Sequence, residues 1–209
     1  GFSAASERST AVAELTVNRR QHASWEQDAL AELRAGNITI AVRAYLDHDR
    51  VAVADDRQQM VEIAIDRWRQ ARGDGRHVVL LAGTNELVDV LNEAARRQLV
   101  DQGELAADLD GHYGHRGYRL GERIVLRRNS DRAHTLDAQR VTVANGQSGT
   151  VTGIGDGKLS VILDNNNTII TLDERYLARG GRVDHAYALT TTRAQGGTWE
   201  QAITVGLDG

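Results

Sequence analysis

The sequence contains no cysteine. That excludes disulfides and thiolate metal sites, and it fits a reducing compartment. It contains no proline either, so prolyl isomerisation is not a slow step in its folding. Lysine is almost absent: Lys158 is the single one, and every other basic side chain apart from histidine is an arginine. No apolar run is long enough to cross a bilayer, so no membrane insertion is expected. The first residues, Gly1-Phe2-Ser3-Ala4-Ala5-Ser6-Glu7-Arg8, lack the basic-then-apolar order of a signal peptide. The expectation is a cytoplasmic protein. A chain opening on Gly1 rather than Met also reads as an internal fragment or a processed form.

What is present describes a soluble globular chain. The 209 residues are 41% hydrophobic and 26% charged, enough for one good core or one domain with a small insert. The net charge of −4 argues against a broad surface that coats nucleic acid, though it leaves room for a local site. Arginine is the better bidentate partner for phosphate, but genome composition also explains its excess here.

Residues 1–13 read as a helix. Ala13-Glu14-Leu15-Thr16-Val17 reads as a short strand that ends in the polar cluster Asn18-Arg19-Arg20-Gln21. Two adjacent arginines beside a buried strand make either a solvated turn or an anion site. Ser24 to Gln27 has capping-box spacing, followed by Trp25, Ala29 and Leu33 at helical intervals. Ile38, Val42, Tyr45 and Leu46 mark a second short helix, and Val51-Ala52-Val53 a short strand. Asp47-His48-Asp49 is a solvated helix end, because three consecutive residues do not converge on one ion.

Asp55 and Gln58 repeat the capping spacing. Met60, Ile63, Ala64 and Trp68 then trace a long helix that stops at Gly73-Asp74-Gly75. His77 to Ala82 is a continuous apolar run, as in a buried parallel strand. Gly83-Thr84 turns it into a helix with Leu87, Val90, Leu91, Ala94 and Ala95 inward. This order of helix, buried strand and helix reads as α/β with a mainly parallel sheet. His112 and His115 sit among glycines that would not hold them on a metal, so no metal site is expected.

From Gly121 the pattern changes to short strands at 124–126, 141–143, 149–152, 159–163 and 168–171. The turn signals Asn145-Gly146, Asp156-Gly157 and Asn165-Asn166-Asn167 separate them. Closely spaced hairpins of this kind suggest a small barrel. Within it, Gly153 to Ser160 has the look of a phosphate loop. Its outer glycines are one residue too close, however, and it joins two strands instead of opening a helix, so it reads as a hairpin turn.

The α/β pattern resumes at Val183. Ala186 to Thr198 is an apolar run, three threonines, an arginine, a glutamine and a glycine pair, followed by the strand Ala202-Ile203-Thr204-Val205. Hydroxyls, a guanidinium and an amide at a strand end suit contact with phosphate. A capped connection without a ligand has the same composition.

Three stretches in order carry a resemblance. Leu15-Thr16-Val17-Asn18-Arg19-Arg20-Gln21 resembles motif IV of RecD-like superfamily 1 helicases, above all the version in MobF-type conjugative relaxase–helicases. Leu80 to Asn92 is similar to the strand, threonine and helix that follow in that family. Ala186 to Gly196 is similar to its motif V. Gly121 to Asn129 and Asn145 to Val151 are similar to the segment leading into the family's SH3-like insert.

The resemblance implies a RecA-like 2A motor domain, a parallel sheet with helices on both faces, over 1–143 and 181–209. It implies an SH3-like β-barrel insert, 2B, over 144–180. It assigns Arg20 to the γ-phosphate of ATP as the catalytic arginine, with Arg19 and Gln21 at the same cleft. It assigns Thr84, Thr190, Thr192, Arg193, Gln195 and Gly196 to single-stranded DNA. Thr192 stands where the family usually has His, Arg193 where it has Lys, and Gly197 is an extra glycine.

Walker A, Walker B and the motif VI arginine are absent from the sequence. The implied protein is therefore a fragment of an ATP-dependent DNA helicase or translocase, without activity of its own. ATP and Mg²⁺ would be bound by the parent protein and not by this fragment alone. The implied partners are single-stranded DNA, the remaining helicase half and the conjugation machinery. The alternative is a non-catalytic DNA-binding or protein-interaction module from a degenerate helicase domain.

Overall fold

The computed structural model describes residues 21–105, 112–113, 116–177, 183–195 and 197–206. The helix expected over 1–13, the strand at 13–17, Arg19, Arg20 and Gly196 lie outside the described residues. The chain forms two compact units, residues 1–53 and 54–209.

In the first unit, α1 (Ser24–Arg34) and α2 (Ile38–Asp47) pack through Ala29 and Ala41, both buried. Small residues there let the helices approach closely. The indole of Trp25 stacks on His48, with ring centres 3.9 Å apart, and meets Tyr45 edge-on at 5.3 Å. Ser24 does not cap α1: the cap is Ala23, which offers no side-chain acceptor. The strand expected at Val51–Val53 is not formed. Its valines are exposed and have no neighbouring strand among the described residues.

The second unit begins with α3 (Arg57–Gly73), β1 (Val78–Ala82) and α4 (Asn85–Asp101). The α3 cap is one residue later than its spacing suggested. Asp56 Oδ1 accepts from Gln59 N at 2.8 Å, and Gln59 returns the bond by accepting from Asp55 N at 2.5 Å. Short strands and two short helices follow: β2 (His112–Tyr113), β3 (Arg116–Gly117), β4 (Arg123–Leu126), β5 (Ser130–Thr135), β6 (Arg140–Val143), β7 (Ser148–Gly155), β8 (Lys158–Leu163), β9 (Ile169–Leu172), α5 (Glu174–Leu177), β10 (Val183–His185), β11 (Ala188–Thr190) and, after α6 (Thr191–Ala194), the last strand, β12 (Gln201–Val205).

β1 is the centre of a three-stranded parallel sheet, with β11 on one side and β12 on the other. Strand alternation divides its residues between two faces. Leu80, Ala82, Ala188 and Val205 meet α3 and α4 through Trp68, Leu87, Leu91, Ala95 and Leu99. Burying a side chain the size of Leu91 contributes roughly 1.5–3 kcal/mol, and this layer buries several of that size. The opposite face, with Val79 and Leu189, is covered by Val125, Ala194 and Trp199. The two long helices therefore share one face, and the only described helix on the other is the four-residue α6.

The other large sheet has seven antiparallel strands in the order β10-β4-β7-β8-β9-β5-β6. It takes strands from 123–126, 130–135, 140–143 and 183–185 as well as from 144–180. Its strands curl round one apolar core that reaches from Val183 to Val143. No hydrogen-bonded pairing joins its edge strands β10 and β6 among the described residues, so the closed barrel expected from the hairpin spacing is not formed. Asp156 and Gly157 both have positive φ, 49° and 72°, as the tight turn between β7 and β8 requires.

Candidate nucleic-acid interface

The parallel register sets Ala82 beside Thr190 on one side and beside Val205 on the other. The three strands thus end together, and the connections leaving them share one edge. In open α/β sheets that carboxyl edge is where ligands bind. Gly83-Thr84 and Thr190-Thr191 both leave it into helices. Thr84 caps α4, its Oγ1 accepting from Leu87 N at 3.2 Å. Thr190 caps α6 in the same way, accepting from Arg193 N at 3.3 Å. Thr84, Thr192, Arg193 and Gln195 are exposed, and Thr190 is half-buried. Two neighbouring helix starts, with their unpaired N–H groups and hydroxyls, form a polar rim suited to an anion.

Thr84, Thr190, Thr192, Arg193 and Gln195 are therefore brought to one edge. Gln21 belongs to the other unit, where its carbonyl accepts from Gln27 Nε2 at 2.6 Å. Gly197 does not loosen the segment after Gln195. Its backbone lies against the ring of Trp199, and any Cβ at 197 would fall inside the indole. The glycine is a packing requirement.

β4 ties this edge to the seven-stranded sheet. Ile124 and Leu126 point into that sheet's core, while Val125, on the opposite face, packs with Leu189 and Ala194. Arg127 follows β4 directly and forms an ion pair with Asp184, the register partner of Val125, with Nε 3.2 Å from Oδ2. Burial and the nearby charge of Arg127 lower the pKa of Arg193, while Asp184 and Asp89 partly offset them.

Other polar groups support the site from behind. Asn92, buried on α4, bonds the backbone of Tyr187 and Ala188. Glu122 is fully buried and accepts from Arg96 Nε at 2.5 Å and from His185 Nε2 at 3.1 Å. Burial raises the Glu122 pKa, but the hydrogen bonds and charges of His185 and Arg96 outweigh it, and the group stays ionised below the usual range. Burial, then the charge of Glu122, pushes the Tyr187 phenol well above its ordinary value.

Sequence reasoning missed Arg96, Glu122, His185 and Arg127, and gave Asn92 no role. For Asn92 a signal existed: it interrupts the apolar stripe Val88, Leu91, Ala95 and Leu99. Among the described residues no group of three His, Asp or Glu side chains converges as a metal site, and no helix is long and apolar enough to cross a membrane.

No protein-family model matches the chain. Conjugal transfer protein TraA of Rhizobium radiobacter is 28% identical over 195 residues, covering 89% of this chain and 16% of that protein. The probable conjugal transfer protein TraA of Sinorhizobium fredii is 26% identical over 189 residues, with the same coverage. The chain thus spans 16% of the length of these relatives. In fold, it matches the Pif1 helicase from Bacteroides in complex with ADP-AlF3 and ssDNA, with a TM-score of 0.52 at 15% identity, over 92% of this chain and 45% of that one. The chain is related in sequence to one stretch of the conjugal transfer protein TraA and in fold to part of a Pif1 helicase, which bears out the resemblance to conjugative relaxase–helicases.

Proposed function

We infer that this chain is the part of a helicase-type motor, within a conjugative-transfer protein, that grips single-stranded DNA by its backbone and couples that grip to ATP. One observation carries the reading: the register of Ala82 with Thr190 gathers Thr84, Thr190, Thr192, Arg193 and Gln195 at the carboxyl edge of a parallel sheet. A hydroxyl, amide and guanidinium rim of that kind meets phosphates and leaves base identity unread. Two namings support it. The sequence relatives are called conjugal transfer proteins, and the fold neighbour was solved with single-stranded DNA and a nucleotide analogue.

In this reading the three-stranded layer with α3 and α4 is the RecA-like motor part. The curled sheet is the counterpart of the SH3-like insert, drawn wider than 144–180. ATP and Mg²⁺ act in the longer protein. Arg20, beside Arg19 and Gln21, is this chain's contribution to that cleft, its guanidinium meeting charge on the transferring phosphoryl group. Gly196, which the family resemblance also assigns to DNA, belongs to the same reading.

The test has two arms. Fluorescence anisotropy with a labelled oligodeoxythymidylate measures binding by the 209-residue chain. Wild type binds, and affinity falls with salt. Arg193→Ala weakens binding and lowers the log–log salt slope by about 0.7, the value of one single-strand phosphate. Absence of binding at low ionic strength removes the DNA reading. In a protein of the relatives' length, Arg20→Ala abolishes most DNA-stimulated ATP hydrolysis. Unchanged hydrolysis takes Arg20 out of the cleft. DNA binding by that longer protein with no hydrolysis at all would favour a non-catalytic DNA-binding module.

A further inference from the structure

Arg127 was not among the residues that the sequence motifs assign to DNA, yet the fold delivers it to the same rim. The delivery is built in two steps. Alternation along β4 sends Ile124 and Leu126 into the core of the seven-stranded sheet and leaves Arg123 and Val125 on the other face, where Arg127, the residue just after the strand, pairs with Asp184, the register partner of Val125. Val125 then packs with Leu189 and Ala194, so that face of β4 lies against the turn that carries Arg193. Arg123 is committed elsewhere, with both Nη groups on Asp164 at 2.6 and 2.5 Å. Arg127 is held only at Nε by Asp184, on the register partner of Val125. Its Nη groups make no hydrogen bond among the described residues, and neither is a buried donor without a partner.

Arg193 is the complement. It is exposed, and its guanidinium makes no hydrogen bond or ion pair among the described residues. The like charge of Arg127 disfavours its cation. Two guanidinium groups that oppose each other, on elements locked together by an apolar contact, are relieved by an anion placed between them. Asp184 and Asp89 reduce the repulsion without abolishing it.

We propose that Arg127 and Arg193 form a two-guanidinium clamp on one phosphodiester of the bound single strand, with Asp184 holding the Arg127 fork in place through Nε. The clamp rests on the reading of this edge as a single-strand contact and adds to it a residue from the curled sheet. It makes that sheet a direct DNA ligand, so the two parts of the unit grip one phosphate from both sides.

The experiment uses the 209-residue chain and a labelled oligodeoxythymidylate, read as affinity against salt. Arg127→Gln removes the charge and keeps a donor for Asp184. It is expected to weaken binding several-fold and to lower the salt slope by about 0.7, as Arg193→Ala does. The double variant is expected to lose little more than either single one, because both groups hold one phosphate. Asp184→Asn keeps an oxygen acceptor facing Arg127 Nε, so the fork stays placed, and removes the charge that competes with phosphate; it is expected to tighten binding. Arg123→Gln is expected to bind as wild type does. Wild-type affinity in Arg127→Gln, with Arg193→Ala weakened, overturns the clamp and leaves the DNA reading standing. Equal weakening in Asp184→Asn and Arg127→Gln also overturns it, because the ion pair would then be serving the fold alone. A wild-type chain that binds no oligonucleotide at low salt ends both.

Discussion

Asn92 pairs with Ala188 as a neighbouring strand would. Its Nδ2 donates to Ala188 O at 3.2 Å, and its Oδ1 accepts from Ala188 N at 2.9 Å and from Tyr187 N at 3.0 Å. β11 is an edge strand, and on its inner side Leu80 N already donates to Tyr187 O. A side chain of α4 thus completes the hydrogen bonding of the strand that carries Thr190.

Asn92→Leu is nearly volume-conserving and tests this pairing. It strands buried backbone groups, each costing about 1–3 kcal/mol. The expected loss is roughly 2–4 kcal/mol in urea denaturation. A loss below about 0.5 kcal/mol, the scale of an indifferent surface change, would mean that water or a backbone shift replaces the amide.

Glu122 gives a pH signature. Its folded pKa lies below the ordinary value of 4.5, because His185 and Arg96 outweigh the burial that opposes ionisation. A depressed carboxyl contributes stability that is complete above its unfolded pKa and is lost as pH falls through the folded one. Stability therefore declines as pH drops below about 4.5, and in Glu122→Gln that component of the decline is absent. The partners are unequal. Arg96→Met leaves a fully buried carboxylate short of a cation and costs about 3–5 kcal/mol. Glu122→Gln leaves Arg96, which keeps access to water, and costs about 1–3 kcal/mol. Denaturation of both variants at neutral pH and near pH 4 checks the order.

The sequence made the parallel layer legible because its elements obey one period each. Val78 to Ala82 is apolar throughout, and Leu87, Leu91 and Ala95 recur at helical spacing. Thr84 and Thr190 were legible as polar residues at strand ends. β5 was not: in Ser130–Thr135 only Ala133 is buried, so no alternation marks it. The open curled sheet was missed because hairpin spacing fixes which strands pair in sequence and says nothing about whether the two edges meet. Glu122, Arg127 and His185 were silent for a similar reason. Their partners lie far away in sequence: Glu122 meets Arg96 and His185 only once α4, β4 and β10 are assembled.

Thr84 separates capping from DNA contact. Thr84→Ala removes the acceptor for Leu87 N and costs about 1 kcal/mol. Thr84→Asp keeps the cap and adds a charge that suits a helix N-terminus, so stability is retained or raised. The same charge repels a phosphate at the rim, and oligodeoxythymidylate binding is expected to weaken in Thr84→Asp. Stability and affinity thus move in opposite directions. Unchanged binding in Thr84→Asp would take this position out of the DNA path.

Gly197 and Trp199 form the last testable pair. An added Cβ at 197 overlaps the indole ring, and the near atoms all belong to Trp199. That ring packs beside Val79, Val125, Leu189 and Ala194, the cluster under the α6 turn. Gly197→Ala must therefore push the ring off its seat or move the backbone that follows Gln195. Overpacking of this kind costs about 1–3 kcal/mol. Trp199→Ala alone loses the ring's packing. In the double variant the methyl group introduced by Gly197→Ala has nothing to strike, so its cost falls well below the sum of the two single ones. Additive losses in thermal denaturation would place the strain in the backbone and not in the ring. The pair also bears on the DNA edge: displacing Trp199 loosens the support of Ala194 and, with it, the placement of Arg193. Gly197→Ala is expected to weaken oligonucleotide binding, and Gly197→Ala combined with Trp199→Ala to weaken it no further than Trp199→Ala alone.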